Sequence, residues 1–188
     1  MTSTSRKYFH DLYRRDADPW GFESSEYEQR KYALTLASLP RRHYDSVYEP
    51  GCSIGVLSEL LARRCNRLLA TDIISDAIDT AASRLKSFPH ATAEKRAIPE
   101  EWPREQFDLI VLSEIAYYFD ESDLRAIISL TLESTATGAH ILAVHWRGAT
   151  NYPLTGDRAH EILNSVKQWR LVVHHFEADF LLEIWERK

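Results

Sequence analysis

The stretch Val47-Tyr48-Glu49-Pro50-Gly51-Cys52-Ser53-Ile54-Gly55 decides the fold of this chain. It reads as a short apolar strand, a tight turn of small residues and the start of a helix. The apolar run Leu68–Ala70 follows and leads to Asp72. A strand, a small-residue turn and a helix, with an acid at the end of the next strand, is how α/β sheets hold adenosine-containing cofactors. The stretch therefore predicts an α/β fold with such a cofactor site.

The glycine spacing in this turn narrows the cofactor class. A dinucleotide fingerprint needs glycine at its first, third and sixth positions. Here those positions hold Gly51, Ser53 and Val56, so two of them lack glycine. Glycine instead stands at the first and fifth positions, Gly51 and Gly55, and Glu49 lies two residues before the turn. This spacing argues against an NAD-dependent oxidoreductase.

The turn resembles motif I of the class I S-adenosylmethionine-dependent methyltransferases, E/D-x-G-x-G-x-G, with Ser53 in place of the middle glycine. The resemblance implies that Glu49 accepts a hydrogen bond from the α-ammonium of S-adenosylmethionine and that Asp72 accepts from the ribose hydroxyls. Gly51 lets the backbone pass close to a ligand. The resemblance also implies the strand order 3-2-1-4-5-7-6.

Four motifs along the chain, the turn among them, identify one group of these methyltransferases: Asp18-Pro19-Trp20, Tyr27-Glu28-x-x-Lys31-Tyr32, Glu49-x-Gly51-Cys52-Ser53-Ile54-Gly55-Val56-Leu57 and Glu114-x-x-Tyr117-Tyr118. They resemble the nodulation protein S group. The resemblance runs across nearly the whole chain and is firmest from Asp18 to Phe119. Its rhizobial member N-methylates a deacetylated chitooligosaccharide, and that substrate is not carried over to this chain.

Size and composition bound the class of protein. The 188 residues suit one compact α/β domain, and 44% hydrophobic and 27% charged residues are ordinary for a soluble globule. The net charge of −5 argues against nucleic acid or an anionic membrane as the main partner. The apolar runs are strand-sized, and the polar N-terminus lacks a signal-peptide core. With Cys52 and Cys65 as its only cysteines, the chain is expected to be cytoplasmic, with reduced thiols.

The pattern along the chain predicts a helical cap over residues 1–43 and one methyltransferase domain over residues 44–188. From residue 44 onward strands and helices alternate, which predicts a Rossmann-like, doubly wound, mostly parallel seven-stranded sheet with an antiparallel C-terminal hairpin. Ser75 and Asp157 are expected to cap helices, and Gly138 to break the chain before the fifth strand. The predicted strands are Val47–Glu49, Leu68–Asp72, Ala91–Arg96, Phe107–Ser113, His140–His145, Leu171–Phe176 and Phe180–Trp185.

The N-terminal cap is predicted to contain the helix Ser3–Asp16 and a second helix that begins at Ser25 with a capping box. One interpretation is that its aromatic residues simply pack the helices on the sheet. The other is that the cap forms a lid over the cofactor, with Tyr27 or Lys31 facing the methionine carboxylate, so that water is excluded from the reaction. Both interpretations are left open.

The predicted cofactor contacts come from the cap, the turn and three strand ends. Ala97 and Ile98 follow the third strand, where the family places the adenine, and the resemblance puts Ser113 and Glu114 beside the cofactor. The full set is Trp20, Tyr27, Lys31, Glu49, Gly51, Cys52, Ser53, Gly55, Asp72, Ile73, Ala97, Ile98, Ser113 and Glu114.

The predicted acceptor site lies beyond the carboxyl ends of the fourth and fifth strands, where ligands of α/β sheets bind. Glu114 could hold an ammonium acceptor or take its proton, and it could equally be a solvated carboxylate. The catalytic candidates are Glu114, Tyr118 and His145. The acceptor-binding candidates are Tyr117, Tyr118, His145 and His160, where the resemblance implies the roles of the two tyrosines.

No metal site is predicted, because the scattered histidines lack zinc spacing. The sequence thus predicts methyl transfer from S-adenosylmethionine to a small-molecule acceptor. An amine is favoured because the net charge is negative and the candidate side chains offer acceptors and bases rather than cations: Glu114, Tyr117, Tyr118, His145 and His160. O-methylation of a hydroxyl or carboxylate and a non-catalytic cofactor-binding module are the alternatives, and the oligomeric state is left open.

Overall fold

The computed structural model describes residues 2–188. Contacts divide the chain into two compact units. The N-terminal unit comprises Ser5–Arg96, and the C-terminal unit comprises Ala97–Lys188 together with the first residues up to Thr4. The predicted boundary at residues 43 and 44 stays a prediction.

The N-terminal unit carries a three-stranded parallel sheet with the order β3-β2-β1. Ser5 and Ser25 cap the first two helices through their side-chain oxygens, and α1 is shorter than the predicted Ser3–Asp16. The elements are α1 (Arg6–Tyr13), α2 (Glu26–Ser38), β1 (Tyr44–Pro50), α3 (Val56–Ala62), β2 (Cys65–Asp72), α4 (Ser75–Leu85) and β3 (Ala91–Lys95).

The C-terminal unit carries four strands with the order β4-β5-β7-β6. β4 and β5 are parallel, whereas β7 pairs antiparallel with both β5 and β6. The predicted C-terminal hairpin is thereby confirmed. The elements are β4 (Phe107–Ser113), a short 3-10 helix (Ala116–Tyr118), α5 (Glu121–Glu133), β5 (Thr135–Trp146), α6 (Gly156–Asn164), β6 (Trp169–Phe176) and β7 (Phe180–Arg187).

Across residues 2–188 the strands form one mixed sheet of seven strands with the order β3-β2-β1-β4-β5-β7-β6. This is the order that the resemblance implies, and it confirms the Rossmann-like α/β fold. None of the helices described is long and apolar enough to cross a membrane.

Three local predictions are wrong. Gly138 does not end an element but lies inside β5, with a φ of +85°. Ser75 is the first residue of α4, and the capping position belongs to Ile74, which makes no side-chain cap. The cap of α6 is Thr155, whose hydroxyl accepts from the Arg158 N–H, so Asp157 lies in the first turn instead.

Candidate cofactor and acceptor sites

The turn between β1 and α3 has a left-handed backbone at three alternate positions. The φ angles are +74° at Gly51, +51° at Ser53 and +79° at Gly55. Such angles favour glycine, so Ser53 occupies a conformation that few side chains adopt. The amides of Gly51 and Cys52 both donate to the carbonyl oxygen of Thr71, at 2.7 and 2.9 Å. The turn is therefore held against the end of β2.

Gly55 is required by packing as well as by backbone angle. A Cβ placed on Gly55 would lie 2.9 Å from the Cβ of Ala81, so the start of α3 touches α4 directly. Arg84, also on α4, donates from Nε to the carbonyl oxygen of Ile54 at 3.0 Å. Helix α4 thus fixes the far side of the turn.

Asp72 bonds the turn from the end of β2. Its Oδ2 accepts from the Ser53 amide at 2.9 Å, and its Oδ1 accepts from the Ile74 amide at 3.0 Å. Burial raises the pKa of Asp72, although these amide hydrogen bonds oppose the shift. A carboxylate has about four lone-pair positions, so these bonds are compatible with acceptance from ribose hydroxyls. The ribose role itself stays a prediction.

Glu49 is a buried carboxyl group beneath the turn. Its Oε2 accepts from the Ser58 hydroxyl at 2.5 Å. Burial raises the pKa of Glu49 to about 8, the Ser58 bond opposes this shift, and the charge of Asp72 adds to it. Glu49 thus holds a proton at neutral pH, and a ligand ammonium beside it would favour its ionised form. Ser58, three residues into α3, was not among the predicted site residues.

Cys52 lies in the same turn and is also buried. Burial raises the pKa of its thiol well above the ordinary value, and the charges of Asp72 and Glu49 add to this shift. The thiol form is therefore favoured, and Cys52 acts as a small apolar side chain in the turn.

Residues of the N-terminal cap pack on the turn within the N-terminal unit. The Tyr13 hydroxyl is 2.5 Å from the Ser53 hydroxyl. Tyr13 packs with Ile54 and Ile74 in one apolar cluster, against which Trp20 and Ile73 also lie. Tyr13 was missed, because nothing in the sequence around it marks a partner forty residues away. The contacts of Trp20 and Ile73 with a cofactor stay predictions.

Lys31 is a buried cation on α2. Its Nζ is 2.9 Å from Oε1 of Glu28 and 5.0 Å from the ring centroid of Tyr27. Its ammonium thus has a counter-ion on its own helix. Contact of Tyr27 or Lys31 with the methionine carboxylate stays a prediction.

The other predicted cofactor contacts lie at the start of the C-terminal unit and at the end of β4. The Ala97 amide donates to Oε2 of Glu101 at 2.6 Å, and the Ile98–Pro99 peptide bond is cis. Ser113 is the last residue of β4. Their cofactor contacts stay predictions.

Glu114 follows β4 with a φ of +52°, a left-handed conformation that costs energy for a residue other than glycine. Its Oε2 accepts from the Tyr117 hydroxyl at 2.5 Å and from the Trp146 amide at 2.9 Å. Its own amide donates to the carbonyl oxygen of Val144 at 2.9 Å. The Glu114 carboxylate is thereby held in one position at the ends of β4 and β5.

Three tyrosine rings pack beside Glu114, and we call them the tyrosine cluster: Tyr117, Tyr118 and Tyr152. Tyr117 stacks on Tyr152 with 5.3 Å between centroids, and Tyr118 meets Tyr152 edge-on at 4.6 Å. Burial raises the pKa of Tyr117, and the charge of Glu114 adds to the shift. Tyr152 was missed, because it lies in a loop without a motif. Aromatic faces beside a carboxylate suit a cationic group.

His145 has both ring nitrogens engaged inside the protein. Its Nε2 is 3.0 Å from the Ala116 amide, and its Nδ1 is 3.0 Å from Nε2 of His160. Nδ1 of His160 is in turn 2.7 Å from Oε2 of Glu183. This bonding leaves neither histidine a ring nitrogen for a substrate. The geometry therefore argues against the predicted role of His145 as a base and the predicted acceptor contacts of both histidines.

Among residues 2–188, no three or more His, Cys, Asp or Glu side chains are grouped so as to hold a metal ion.

Comparisons with known proteins match most of this chain. A family model described as "Nodulation protein S (NodS)" matches residues 5–141. The nodulation protein S of Rhizobium tropici is 31% identical over 127 residues, which are 66% of this chain and 53% of that protein. The chain thus spans about half the length of this curated relative.

Solved structures match over more of the chain. A methyltransferase candidate from Pseudomonas syringae is 42% identical with a TM-score of 0.78, and the match covers 87% of this chain and 100% of that one. The N-methyltransferase NodS from Bradyrhizobium japonicum WM9, in complex with S-adenosyl-L-homocysteine, is 25% identical with a TM-score of 0.85. That match covers 96% of this chain and 97% of that one.

Proposed function

Because the chain belongs to the nodulation protein S (NodS) family, we propose that it is an S-adenosylmethionine-dependent methyltransferase that methylates an amine of a small molecule. The observation that carries the proposal is the β1–α3 turn. Its left-handed backbone at Gly51, Ser53 and Gly55 brings main chain close to a ligand, between the carboxyl groups of Glu49 and Asp72.

The residues of the turn fit the cofactor chemically. Glu49 carries a proton that an α-ammonium would displace, and Asp72 keeps lone pairs for hydroxyl donors. S-adenosylmethionine supplies a methyl group from a sulfonium, and the leaving group is a neutral thioether. The protein must then orient the acceptor and exclude water, because no charged leaving group needs stabilisation.

The acceptor side of the proposal rests on Glu114 and the tyrosine cluster. Glu114 is fixed by the Tyr117 hydroxyl and the Trp146 amide, so its charge is held in place before an acceptor binds. A fixed carboxylate beside aromatic rings favours an ammonium, and Glu114 could accept a proton as the amine becomes a nucleophile. We therefore favour N-methylation, with amino sugars among the candidate acceptors, over O-methylation.

The proposal also places the protein in the cytoplasm. Cys52 and Cys65 are both buried thiols, which fits a reducing compartment.

Calorimetry and a substrate panel test the proposal. We expect S-adenosylhomocysteine to bind and NADH not to bind, and we expect S-adenosylhomocysteine to accumulate when S-adenosylmethionine and primary amines are supplied. Glu114→Gln should lower turnover more than cofactor affinity. Binding of NADH without binding of S-adenosylhomocysteine would overturn the cofactor assignment. Methylation of carboxylic acids alone would overturn the assignment of an amine as the acceptor. Cofactor binding without turnover on any acceptor would favour a non-catalytic module.

A further inference from the structure

A buried, hydrogen-bonded chain of three side chains ends on the backbone amide just before Tyr117 and Tyr118 of the tyrosine cluster. Glu183 of β7, His160 of α6 and His145 of β5 are each no more than 3% exposed. They join at 2.7 and 3.0 Å, and the last contact, at 3.0 Å, is with the amide of Ala116. We propose that Glu183, acting through His160 and His145, is a positioning residue for the acceptor site. This inference rests on the proposed function.

The Ala116 amide determines which atom donates in each hydrogen bond of this series. The Ala116 amide can only donate, so Nε2 of His145 accepts and carries no proton. The ring proton of His145 is therefore on Nδ1 and is donated to Nε2 of His160. The proton of His160 is then on Nδ1 and is donated to Glu183. In this arrangement each histidine has one tautomer, with its ring proton on Nδ1.

Glu183 supplies the charge that fixes these tautomers. Burial raises its pKa, but hydrogen bonds from His160 and His174, with a further one from Asn164, outweigh burial and hold the pKa below its ordinary value. An ionised carboxylate only accepts, so the His160 nitrogen that faces it must carry the proton. A carboxylate that orients a histidine in this way sets which nitrogen of the ring is left to accept.

The Ala116 hydrogen bond can affect the acceptor residues because Ala116 directly precedes them in the sequence. Ala116 is the first residue of the 3-10 helix, and Tyr117 and Tyr118 are its next two residues. Tyr117 in turn donates to Glu114. A lost Ala116 bond would leave a buried amide without its acceptor, which is costly enough to shift this short helix. The positions of Tyr117 and Glu114 would then shift with it.

The three linked side chains follow the part of the sequence that the family model matches. That match ends at residue 141, whereas His145, His160 and Glu183 all come after it. The Ala116 amide on which they end lies within the match.

Two substitutions and one matched control test the inference. Glu183→Gln keeps the side-chain shape but removes the charge, and His160→Leu removes the link to His145. Glu186→Gln is the matched control, because it makes the same substitution on β7 at a carboxylate that pairs with Arg170, outside the hydrogen-bonded chain. Nitrogen-15 NMR of the histidine rings reports the tautomers, and S-adenosylhomocysteine calorimetry reports the integrity of the cofactor turn.

We expect Nε2 of His145 to be unprotonated in the wild type and in Glu186→Gln, and to gain proton occupancy in Glu183→Gln and His160→Leu. In those two variants kcat for the amine should fall between about tenfold and a hundredfold, because the acceptor is misplaced. Affinity for S-adenosylhomocysteine should stay within about twofold, because the cofactor turn is intact. Glu186→Gln should keep wild-type kcat.

The inference is overturned if Nε2 of His145 carries a proton in the wild type, which NMR reveals whether or not any amine is methylated. It is also overturned if folded Glu183→Gln keeps both the wild-type tautomer and the wild-type kcat, or if Glu186→Gln loses as much activity. Should His160→Leu fail to fold, Glu183→Gln decides. A wild type that binds no S-adenosylhomocysteine contradicts the proposed function instead.

Discussion

Asp72 links the turn and the predicted ribose site at the scale of one residue. Asp72→Ala removes the acceptor for the Ser53 and Ile74 amides and the predicted acceptor for the ribose hydroxyls. Hydrogen bonds to a charged group contribute about 1.5–3 kcal/mol, so we expect affinity for S-adenosylhomocysteine to fall about tenfold or more in calorimetry. Asp79→Ala, at an exposed position of α4, is the control. Unchanged affinity in folded Asp72→Ala would remove Asp72 from this role.

Glu49 makes the stability of the ligand-free protein depend on pH. Its pKa is raised by burial from 4.5 to about 8, so between these values the folded protein keeps a proton that the unfolded chain has lost. The free energy of unfolding should therefore fall as pH rises from about 5 to about 8. Glu49→Gln cannot ionise, so its Tm relative to the wild type should increase across this range. A constant Tm difference between pH 5 and pH 8 would contradict the raised pKa.

At the scale of elements, Gly55 marks the contact between α3 and α4. Gly55→Ala would adopt a left-handed backbone and place a Cβ 2.9 Å from Ala81. Gly21→Ala is a matched control, because Gly21 has a φ of +67° but only Ser24 Oγ, at 3.8 Å, near its added Cβ. We expect Gly55→Ala to cost about 1–3 kcal/mol more than Gly21→Ala in urea unfolding, since overpacking adds to strain. Equal costs would show that the α3–α4 contact yields easily.

Local sequence determined those elements whose signals are contiguous. The β1 turn was predicted because its small residues and flanking carboxyls stand within a few positions. The break predicted at Gly138 is wrong because glycine also occurs at irregular positions within strands. The register between β4 and β5 shifts at this point: Phe107 pairs with Thr135, but Leu109 pairs with His140. Gly138 lies in this irregular part of β5, and the strand continues through it.

The acceptor site depends on partners that the sequence does not bring together. Nothing in the sequence near His145 indicates that its two ring nitrogens contact Ala116 and His160. Nor does it indicate that Glu183 ends this series of hydrogen bonds. The register of β7 against β5 and the position of α6 create those contacts. From the sequence alone, a histidine at a strand end therefore resembles a base.

At the scale of the whole molecule, cofactor binding should stabilise the fold by mass action. A ligand at about one hundred times its Kd adds about 2.7 kcal/mol. A chain of this length gains about 2–4 °C in Tm per kcal/mol, so S-adenosylhomocysteine should raise Tm by about 5–11 °C in a thermal shift assay. NADH at the same concentration is the control. A shift with NADH and none with S-adenosylhomocysteine would contradict the cofactor assignment.

The position of Cys52 has a practical consequence. Its buried thiol sits in the turn that is predicted to hold the cofactor, and its raised pKa keeps it unreactive in the closed turn. An alkylating reagent can therefore reach it only when the turn opens. The labelling rate of Cys52, followed by mass spectrometry with Cys65 resolved on a separate peptide, therefore measures how often the turn opens. The protein thus carries a native covalent reporter of local unfolding at its cofactor turn.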